Sequence, residues 1–220
     1  MATISQILAA HVANGRYEDL PQDAIAAAKW FLLDTLGVAW AGTDAPGVAP
    51  LRDMVVEDGG KAESSIWGSG HKVPAAAAAL VNGTFAGALD YDGVYEKGSV
   101  HPDIVTLPAV FSIAERQGAS GRDLLAALVL GNDIACRSGG AMRGNPGWFN
   151  TSVHGVFGAA AACAKLLGLD ELGIANAFGL ALSHAGGTQQ ALAEKSLVKR
   201  VQSGIAARGA VFSALAAARG

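Results

Sequence analysis

The stretch VPAAAAALVNGTFAGALDYDG, from Val73 to Gly93, carries the strongest indication of the fold. Pro74 is a typical first residue of a helix, and the side chains that follow as far as Leu89 leave that helix almost no polar face. A helix without a polar face has to be surrounded by other elements, so we predict a central, buried helix. The polar residues that begin at Asp90 would then lie on a loop that a rigid scaffold holds in place.

Helical periodicity continues on both sides of this stretch. It predicts further helices over Thr3 to Asn14, Pro21 to Gly42, Pro50 to Glu57, Pro108 to Gln117, Gly121 to Cys136, Val156 to Leu167, Asp170 to Ala181 and Gly204 to Arg219, with Thr151 or Ser152 and then Asp170 as caps. Only Glu63 to Val73, with glycine at its turns, favours an irregular or hairpin-like excursion. No repeat or low-complexity linker interrupts the chain. We therefore predict an all-α fold, a single multi-helix domain over residues 1–220.

Composition excludes several classes of protein. Of the 220 residues, 51% are hydrophobic and 16% are charged, and the net charge of −3 offers no basic surface to nucleic acid. The N-terminus lacks a secretory signal, and glycine or charged residues interrupt every apolar stretch long enough to span a membrane. Cys136 and Cys163 lie in apolar helical stretches without metal-type spacing. We predict buried reduced thiols and a cytoplasmic protein that binds neither nucleic acid nor a membrane.

Three polar segments remain on this apolar scaffold. They contain Asp90, Asp92 and His101 in the first, Asn150 to His154 in the second, and Lys195, Lys199 and Arg200 in the third. Together they offer an acid, a base that titrates near neutral pH, and several cations. Removal of a proton next to a carboxylate needs that mixture, since a base takes the proton and a cation stabilises the developing charge. No Cys accompanies the widely spaced histidines, so we predict no metal site.

Each candidate residue also has a structural interpretation. His101 precedes Pro102 and is compatible with a solvated turn, and Asp90 is compatible with a cap at the end of its helix. Lys199 and Arg200 are compatible with an exposed helix start. His154 stands between apolar residues, where a half-buried structural histidine is the ordinary expectation.

Four segments of the sequence resemble the MmgE/PrpD family, which includes 2-methylcitrate dehydratase, cis-aconitate decarboxylase and iminodisuccinate epimerase. They are Val73 to Gly93 followed by His101-Pro102, Gly155 to Asp170, Ala177 to Thr188, and Ser196 to Gly220. The resemblance implies an all-helical domain, usually dimeric, that works without a cofactor. The family's motif Asp falls on Asp90, its loop His on His101 and its Lys on Lys199. Asp92 keeps the family's usual acid, and Arg200 is placed to bind a substrate carboxylate.

The sequence also departs from the family pattern. Gly93 and Val94 stand where the family has a second acid and a hydroxyl. Phe149 stands where a second active-site His is expected, with Asn150 beside it and His154 one helical turn further on as candidate replacements in substrate binding. Family members are roughly twice as long and carry a smaller α+β lid domain. The resemblance thus covers the N-terminal helical domain only, which is compatible with a fragment, a split enzyme or a shortened homologue.

The resulting hypothesis is a cofactor-free lyase or isomerase that abstracts a proton next to a carboxylate of a small di- or tricarboxylate. The simplest version is a carbon–oxygen lyase similar to 2-methylcitrate dehydratase, with His101 as base, Asp90 as its partner or the acid, and Lys199 with Arg200 binding the anion. The alternatives are a non-catalytic or conditionally active subunit that pairs with a separate lid-bearing protein, and a small-acid binding scaffold. A chain that lacks the lid should also expose an apolar patch where the lid and the returning helices would pack, covered by a homodimer or another partner.

Overall fold

The computed structural model describes residues 2–144 and 147–220, and helices dominate this part of the chain. The helices are α1 (Ile4–Asn14), α2 (Gln22–Gly42), α3 (Val48–Asp58), α4 (Ala75–Ala86), α5 (Asp103–Gln117), α6 (Gly121–Ala141), α7 (Asn150–Leu166), α8 (Glu171–Leu182), α9 (Gln190–Ala193) and α10 (Val198–Ala217), with short 3-10 turns at Tyr17–Asp19 and Glu96–Gly98. The predicted hairpin is a pair of two-residue antiparallel strands, β1 (Ser64–Ser65) and β2 (Lys72–Val73). The prediction of an all-α fold is confirmed.

Helix α4 lies at the centre of the domain, as its lack of a polar face indicated. Ten of its twelve residues are buried, and α2, α3, α5 and α10 all pack against it. The helix ends at Ala86, three residues before Leu89, because the backbone leaves the helical conformation around Gly87. The chain therefore enters the polar segment that contains Asp90 directly from the core.

The packing of α4 against α10 depends on two glycines that face each other. A β-carbon on Gly83 would lie 2.9 Å from the α-carbon of Gly204, and a β-carbon on Gly204 would overlap the carbonyl oxygen of Leu80. The Ser203 hydroxyl also donates a 2.8 Å hydrogen bond to the carbonyl oxygen of Gly83. The two helix backbones are thus nearly in contact, which fixes the distance between their ends.

Gly204→Ala is expected to destabilise the domain even though alanine is the better helix former. The helix propensity gain of about 1 kcal/mol is outweighed by overlap with backbone atoms of α4, which cannot move as a side chain can, so we expect a net loss of about 2 kcal/mol. Chemical denaturation measures this difference. Gly37→Ala is the matched control, since nothing lies within 4 Å of a β-carbon at that exposed position of α2, and it should stabilise. Equal stability of the two variants would contradict the backbone contact.

Several helix boundaries differ from those expected from sequence. Helix α5 begins at Asp103, so Pro108 lies inside it and does not start it. Helix α7 begins at Asn150 after Phe149, which gives no side-chain cap, so neither Thr151 nor Ser152 caps it; the predicted cap of α8 by Asp170 is confirmed. Helix α6 runs on to Ala141, and α10 already begins at Val198.

The outer face of α2 carries large apolar side chains. Trp30, Leu33 and Trp40 are all more than half exposed on the single chain. By length and composition α2 is also the one described helix that qualifies as a membrane span, with 28% of its most apolar window buried. That is weak evidence, because core helices of soluble proteins and signal sequences meet the same criteria. The outer face of α2 is thus an exposed apolar surface. That it is the surface where a lid or a partner packs stays a prediction.

Candidate active site

The loop between α4 and α5 folds back on itself and brings distant residues together. Tyr95 and Val100 form an antiparallel bridge, with a 2.8 Å hydrogen bond from the Tyr95 amide to the Val100 carbonyl, and the 3-10 turn Glu96–Gly98 lies between them. This bridge closes the loop like a short hairpin. Residues on either side of it, Asp92 and His101, therefore meet although nine positions separate them.

Asp92 and His101 form the most prominent pair of the site. Nδ1 of His101 lies 2.8 Å from Oδ2 of Asp92, whose side chain is fully buried while that of His101 is 30% exposed. The N–H direction does not meet either carboxylate oxygen squarely, so the contact is a close ion pair more than an aligned hydrogen bond. No other described residue donates a hydrogen bond to Asp92. A buried carboxylate is costly without compensation, which makes its charge depend on His101.

The neighbours of His101 also set its proton affinity. The adjacent Asp92 carboxylate raises the pKa of His101 above its ordinary value, against the opposing effects of burial and of Lys199, with a smaller contribution from Asp90 in the same direction. Nδ1 faces Asp92, and no described residue hydrogen-bonds Nε2. Asp92 thus holds the Nδ1 side of the His101 ring, and Nε2 is left as the ring nitrogen at which a proton can exchange.

Lys199 lies at the start of α10 and pairs with Asp90. Their side chains form an ion pair between Nζ and Oδ1, and the Lys199 side chain is only 16% exposed. Asp90 adopts a left-handed backbone conformation with φ of 58°, which aspartate tolerates better than most residues. Nζ also lies 5.7 Å from the centre of the Phe149 ring, within the range of a cation–π contact. Asp90 from the loop after α4 and Phe149 from the segment before α7 therefore converge on one ammonium group at the start of α10.

Arg200 follows Lys199 but points elsewhere. Its guanidinium donates a hydrogen bond from Nη1 to the carbonyl oxygen of Pro46, in the connection between α2 and α3. Adjacent helical residues are rotated by about 100° from each other, so the two cations cannot face the same point unless Arg200 changes rotamer. The structure gives it a contact with the scaffold, and its role in substrate binding stays a prediction. Lys195 lies on an exposed turn with φ of 54°.

The first turn of α7 holds the His101 loop in place. The Asn150 side chain is buried and its Nδ2 donates a 3.0 Å hydrogen bond to the carbonyl oxygen of Gly98. The Thr151 hydroxyl accepts a 3.1 Å hydrogen bond from the backbone N–H of His101. Oδ1 of Asn150 is buried and accepts no hydrogen bond from the described residues. Asn150 thus contacts the site through its loop, and Thr151, which we had interpreted as a cap, positions His101.

His154 lies about one turn into α7. It contacts residues at the C-terminal end of α6. Its Nδ1 lies 2.8 Å from the Ser138 hydroxyl, and its Nε2 lies 3.2 Å from the sulfur of Met142. Burial lowers the pKa of His154, so its ring is neutral near pH 7. No described hydrogen bond or ion pair joins it to Asp92, His101 or Lys199. The proposal that it replaces a second active-site histidine receives no support from these contacts.

Asp103 is a titratable residue that the sequence did not indicate. It is 4% exposed at the first position of α5, and its Oδ1 accepts a 2.7 Å hydrogen bond from Nδ2 of Asn132. Burial raises its pKa to about 6, and the nearby carboxylates of Asp34 and Asp92 act in the same direction. An aspartate in the first turn of a helix is ordinarily explained by the helix dipole, so its residue type did not indicate a buried acid. The one available signal was its position two residues after His101.

The described part of the chain offers few side chains that could bind a metal ion or a cofactor. Among residues 2–144 and 147–220, no group of three His, Cys, Asp or Glu side chains is arranged to hold a metal ion. Both cysteines are free thiols; Cys163 is fully buried, and burial raises the pKa of Cys136 to about 11. The absence of a cofactor stays a prediction. What the geometry offers is proton transfer at His101 next to an ammonium group.

The described residues thus place a carboxylate–histidine pair and a partly buried lysine on one helical domain. A sequence model of the MmgE/PrpD N-terminal domain matches residues 6–220, and the chain belongs to the MmgE/PrpD family. It is 36% identical over 213 residues to the cis-aconitate decarboxylase-like protein oryM of Aspergillus oryzae, covering 92% of this chain and 44% of that protein. It is 32% identical over 209 residues to the cis-aconitate decarboxylase of Aspergillus terreus, covering 91% and 42%. The human cis-aconitate decarboxylase is 30% identical over 195 residues, covering 84% and 40%.

The chain therefore spans less than half the length of the curated relatives that it matches. The family assignment confirms the resemblance noted from the sequence. Two of these relatives are named cis-aconitate decarboxylase and the third is named decarboxylase-like, and none of the names mentions dehydration.

Proposed function

We propose that this chain provides the proton-transfer site of a lyase that acts on a small di- or tricarboxylate. His101 takes the proton from a carbon next to a carboxylate, and Asp92 orients its ring and stabilises the imidazolium that forms. Lys199 stabilises the negative charge that develops on the substrate carboxylate, for which the substrate displaces Asp90 from the ammonium group. Asp90, once displaced, binds a proton from solvent and passes it to the leaving hydroxyl, which departs as water.

The Asp92–His101 pair is the observation that supports this proposal most directly. A fully buried carboxylate within 2.8 Å of a half-buried histidine is the arrangement of an oriented base, and a cation stands beside it. A solvated turn, the structural interpretation of His101, would not bury its partner carboxylate.

The names of the relatives support a polycarboxylate substrate more strongly than they support cleavage of one particular bond in it. Three of them are named for decarboxylation of cis-aconitate, a tricarboxylate, which favours a carboxylate-bearing substrate for this chain as well. We propose carbon–oxygen bond cleavage, as in 2-methylcitrate dehydratase, and decarboxylation as the two reactions to compare. Proton transfer next to a carboxylate is common to both.

A second function is favoured by a specific feature, the Phe149 ring against Lys199. An aromatic ring occupies the side of the ammonium group at the position where the family pattern places a second histidine. This supports the alternative of a non-catalytic or conditionally active subunit, completed by a separate lid-bearing protein, or a small-acid binding scaffold. Homodimer formation, a cytoplasmic location and independence from cofactors belong to the proposal in either case.

Proton NMR of the purified chain in D2O tests the proposal, with cis-aconitate, 2-methylcitrate and malate as substrates. We expect loss of the proton signal next to a carboxylate through deuterium exchange, with or without net elimination. Heat-unfolded protein is the control for uncatalysed exchange. Binding to folded protein without any exchange would overturn the lyase proposal and favour the scaffold, whereas neither binding nor exchange would overturn both.

The exchange rate is expected to rise with pH, because only neutral His101 accepts a proton. Asp92 raises the pKa of His101 above the ordinary 6.5, so the midpoint of the rise should lie above that value. Asp92→Asn removes the charge that raises this pKa, and the midpoint should then move to lower pH while the maximum rate falls. Exchange rates measured from pH 5 to 9 check both effects. A midpoint that Asp92→Asn leaves unchanged would show that another group titrates.

A further inference from the structure

A cavity between α2, α5 and α6 lies on the other side of the loop that carries His101. Its volume is about 290 Å³, at the small end of the roughly 300–1,000 Å³ of ligand sites in proteins. Its walls are apolar and include Ala27, Phe31, Val94, Pro102 and Val129. Asp103, Asn132 and Cys136 form its polar end. Neither His101 nor Lys199 lines it, so binding there does not depend on the proposed function.

The polar end of this cavity presents hydrogen-bond acceptors, and its amide donor is already engaged. Nδ2 of Asn132 donates to Oδ1 of Asp103, which fixes the orientation of the Asn132 amide. Oδ1 of Asn132 is buried as a result and accepts no hydrogen bond from the described residues. Asp103 is only 4% exposed. Among the described residues, Asn132 is the one side chain that donates a hydrogen bond to it. A ligand that donates hydrogen bonds would satisfy both groups.

The charge around this cavity is uncompensated. Asp34 on α2 and Asp92 on the loop add negative charge near Asp103. Among the described residues, no Lys, Arg or His side chain lines the cavity. Asp92 already faces His101, so that histidine is not available to Asp103. The raised pKa of Asp103 is the consequence of this surplus of acid together with burial.

We propose that this cavity binds a small primary amine, whose ammonium group pairs with Asp103 and whose apolar body packs against Phe31 and Val129. The ammonium group donates to the Asp103 carboxylate and to Oδ1 of Asn132, and thereby supplies the missing positive charge. The volume limits the apolar body to a short alkyl chain or a single ring.

Cys136 gives this proposal a readout that needs no turnover. Its side chain lines the cavity, whereas Cys163 is fully buried, so a neutral methanethiosulfonate reagent at pH 8 reports on Cys136. Three probes share one body and differ in charge: 2-phenylethylamine, 2-phenylethanol and 3-phenylpropanoate. Cys136→Ser, which should remain unlabelled, verifies the site of reaction.

The amine is expected to slow labelling of Cys136 in a saturable manner, at concentrations about tenfold lower than the alcohol, and the carboxylate should give no protection. Asp103→Asn should abolish the preference for the amine over the alcohol. Should that variant not fold, Asn132→Leu on α6 removes the second acceptor and should weaken amine protection. Equal protection by all three probes, protection by none, or undiminished amine binding in a folded variant would overturn the proposal.

Discussion

Replacement of His101 by alanine is expected to lower the rate of deuterium exchange next to the substrate carboxylate by about 10²–10⁴-fold, the usual contribution of a positioned general base. The loss follows from geometry, since no described hydrogen bond brings another histidine to the Asp92 carboxylate. The NMR assay in D2O measures this loss directly. His71→Ala is the matched control, because His71 lies exposed in the turn between β1 and β2 and its side chain has no described partner.

A lost base can be distinguished from a lost fold by chemical rescue. Added imidazole should restore part of the exchange in His101→Ala, whose small side chain leaves room for it beside Asp92, and should not affect the control variant. Circular dichroism would verify that both variants remain helical. Full exchange in His101→Ala without imidazole would contradict the assignment of His101 as the base.

Asp103→Asn is expected to stabilise the folded chain at pH 8 by about 3 kcal/mol and to have little effect near pH 4. Burial raises the pKa of Asp103 from 3.8 to about 6, so the folded state binds the proton more tightly than the unfolded state. The stability that this carboxyl contributes is therefore fully present below pH 3.8 and is lost as the pH rises through about 6. A difference of about two pKa units corresponds to about 3 kcal/mol.

Thermal or urea unfolding of wild type and variant between pH 4 and 8 measures this effect. Asparagine keeps the oxygen that accepts from Asn132, so the hydrogen bond across α5 and α6 survives the substitution. Asp58→Asn is the control, as Asp58 is exposed at the end of α3 and should change stability little at either pH. A stability difference that is independent of pH would show that the buried charge is not its cause.

The sequence predicted the helical class and the central helix because apolar periodicity reports burial directly. It placed several helix starts wrongly where tertiary contacts override local signals. Pro108 ordinarily begins a helix, yet nearly every residue of α5 before it is buried, and packing holds that turn helical from Asp103 onward. The first turn of α10, which begins earlier than predicted, also makes tertiary contacts, since Lys199 pairs with Asp90 and Arg200 donates to Pro46.

The candidate site was predictable in composition but not in its pairings. Asp90, His101 and Lys199 were chosen for their chemistry. The structure places them in two separate ion pairs, Lys199 with Asp90 and His101 with Asp92. The choice of Asp92 and not Asp90 as the partner of His101 depends on the Tyr95–Val100 bridge, a contact no spacing rule predicts. Likewise the burial of Asp103 depends on α2 and α6, which lie far from it in sequence.

The glycine contact between α4 and α10 has a consequence for any experiment that ranks all single substitutions by activity. Asp90 follows α4 and Lys199 begins α10, so a residue that forces these helices apart also separates the two charges. Substitutions at Gly83 and Gly204 should therefore lower activity as much as substitutions at the proposed catalytic residues, although neither glycine contacts a substrate. A parallel measurement of cellular abundance would separate the two groups, since only the glycine variants should be depleted there.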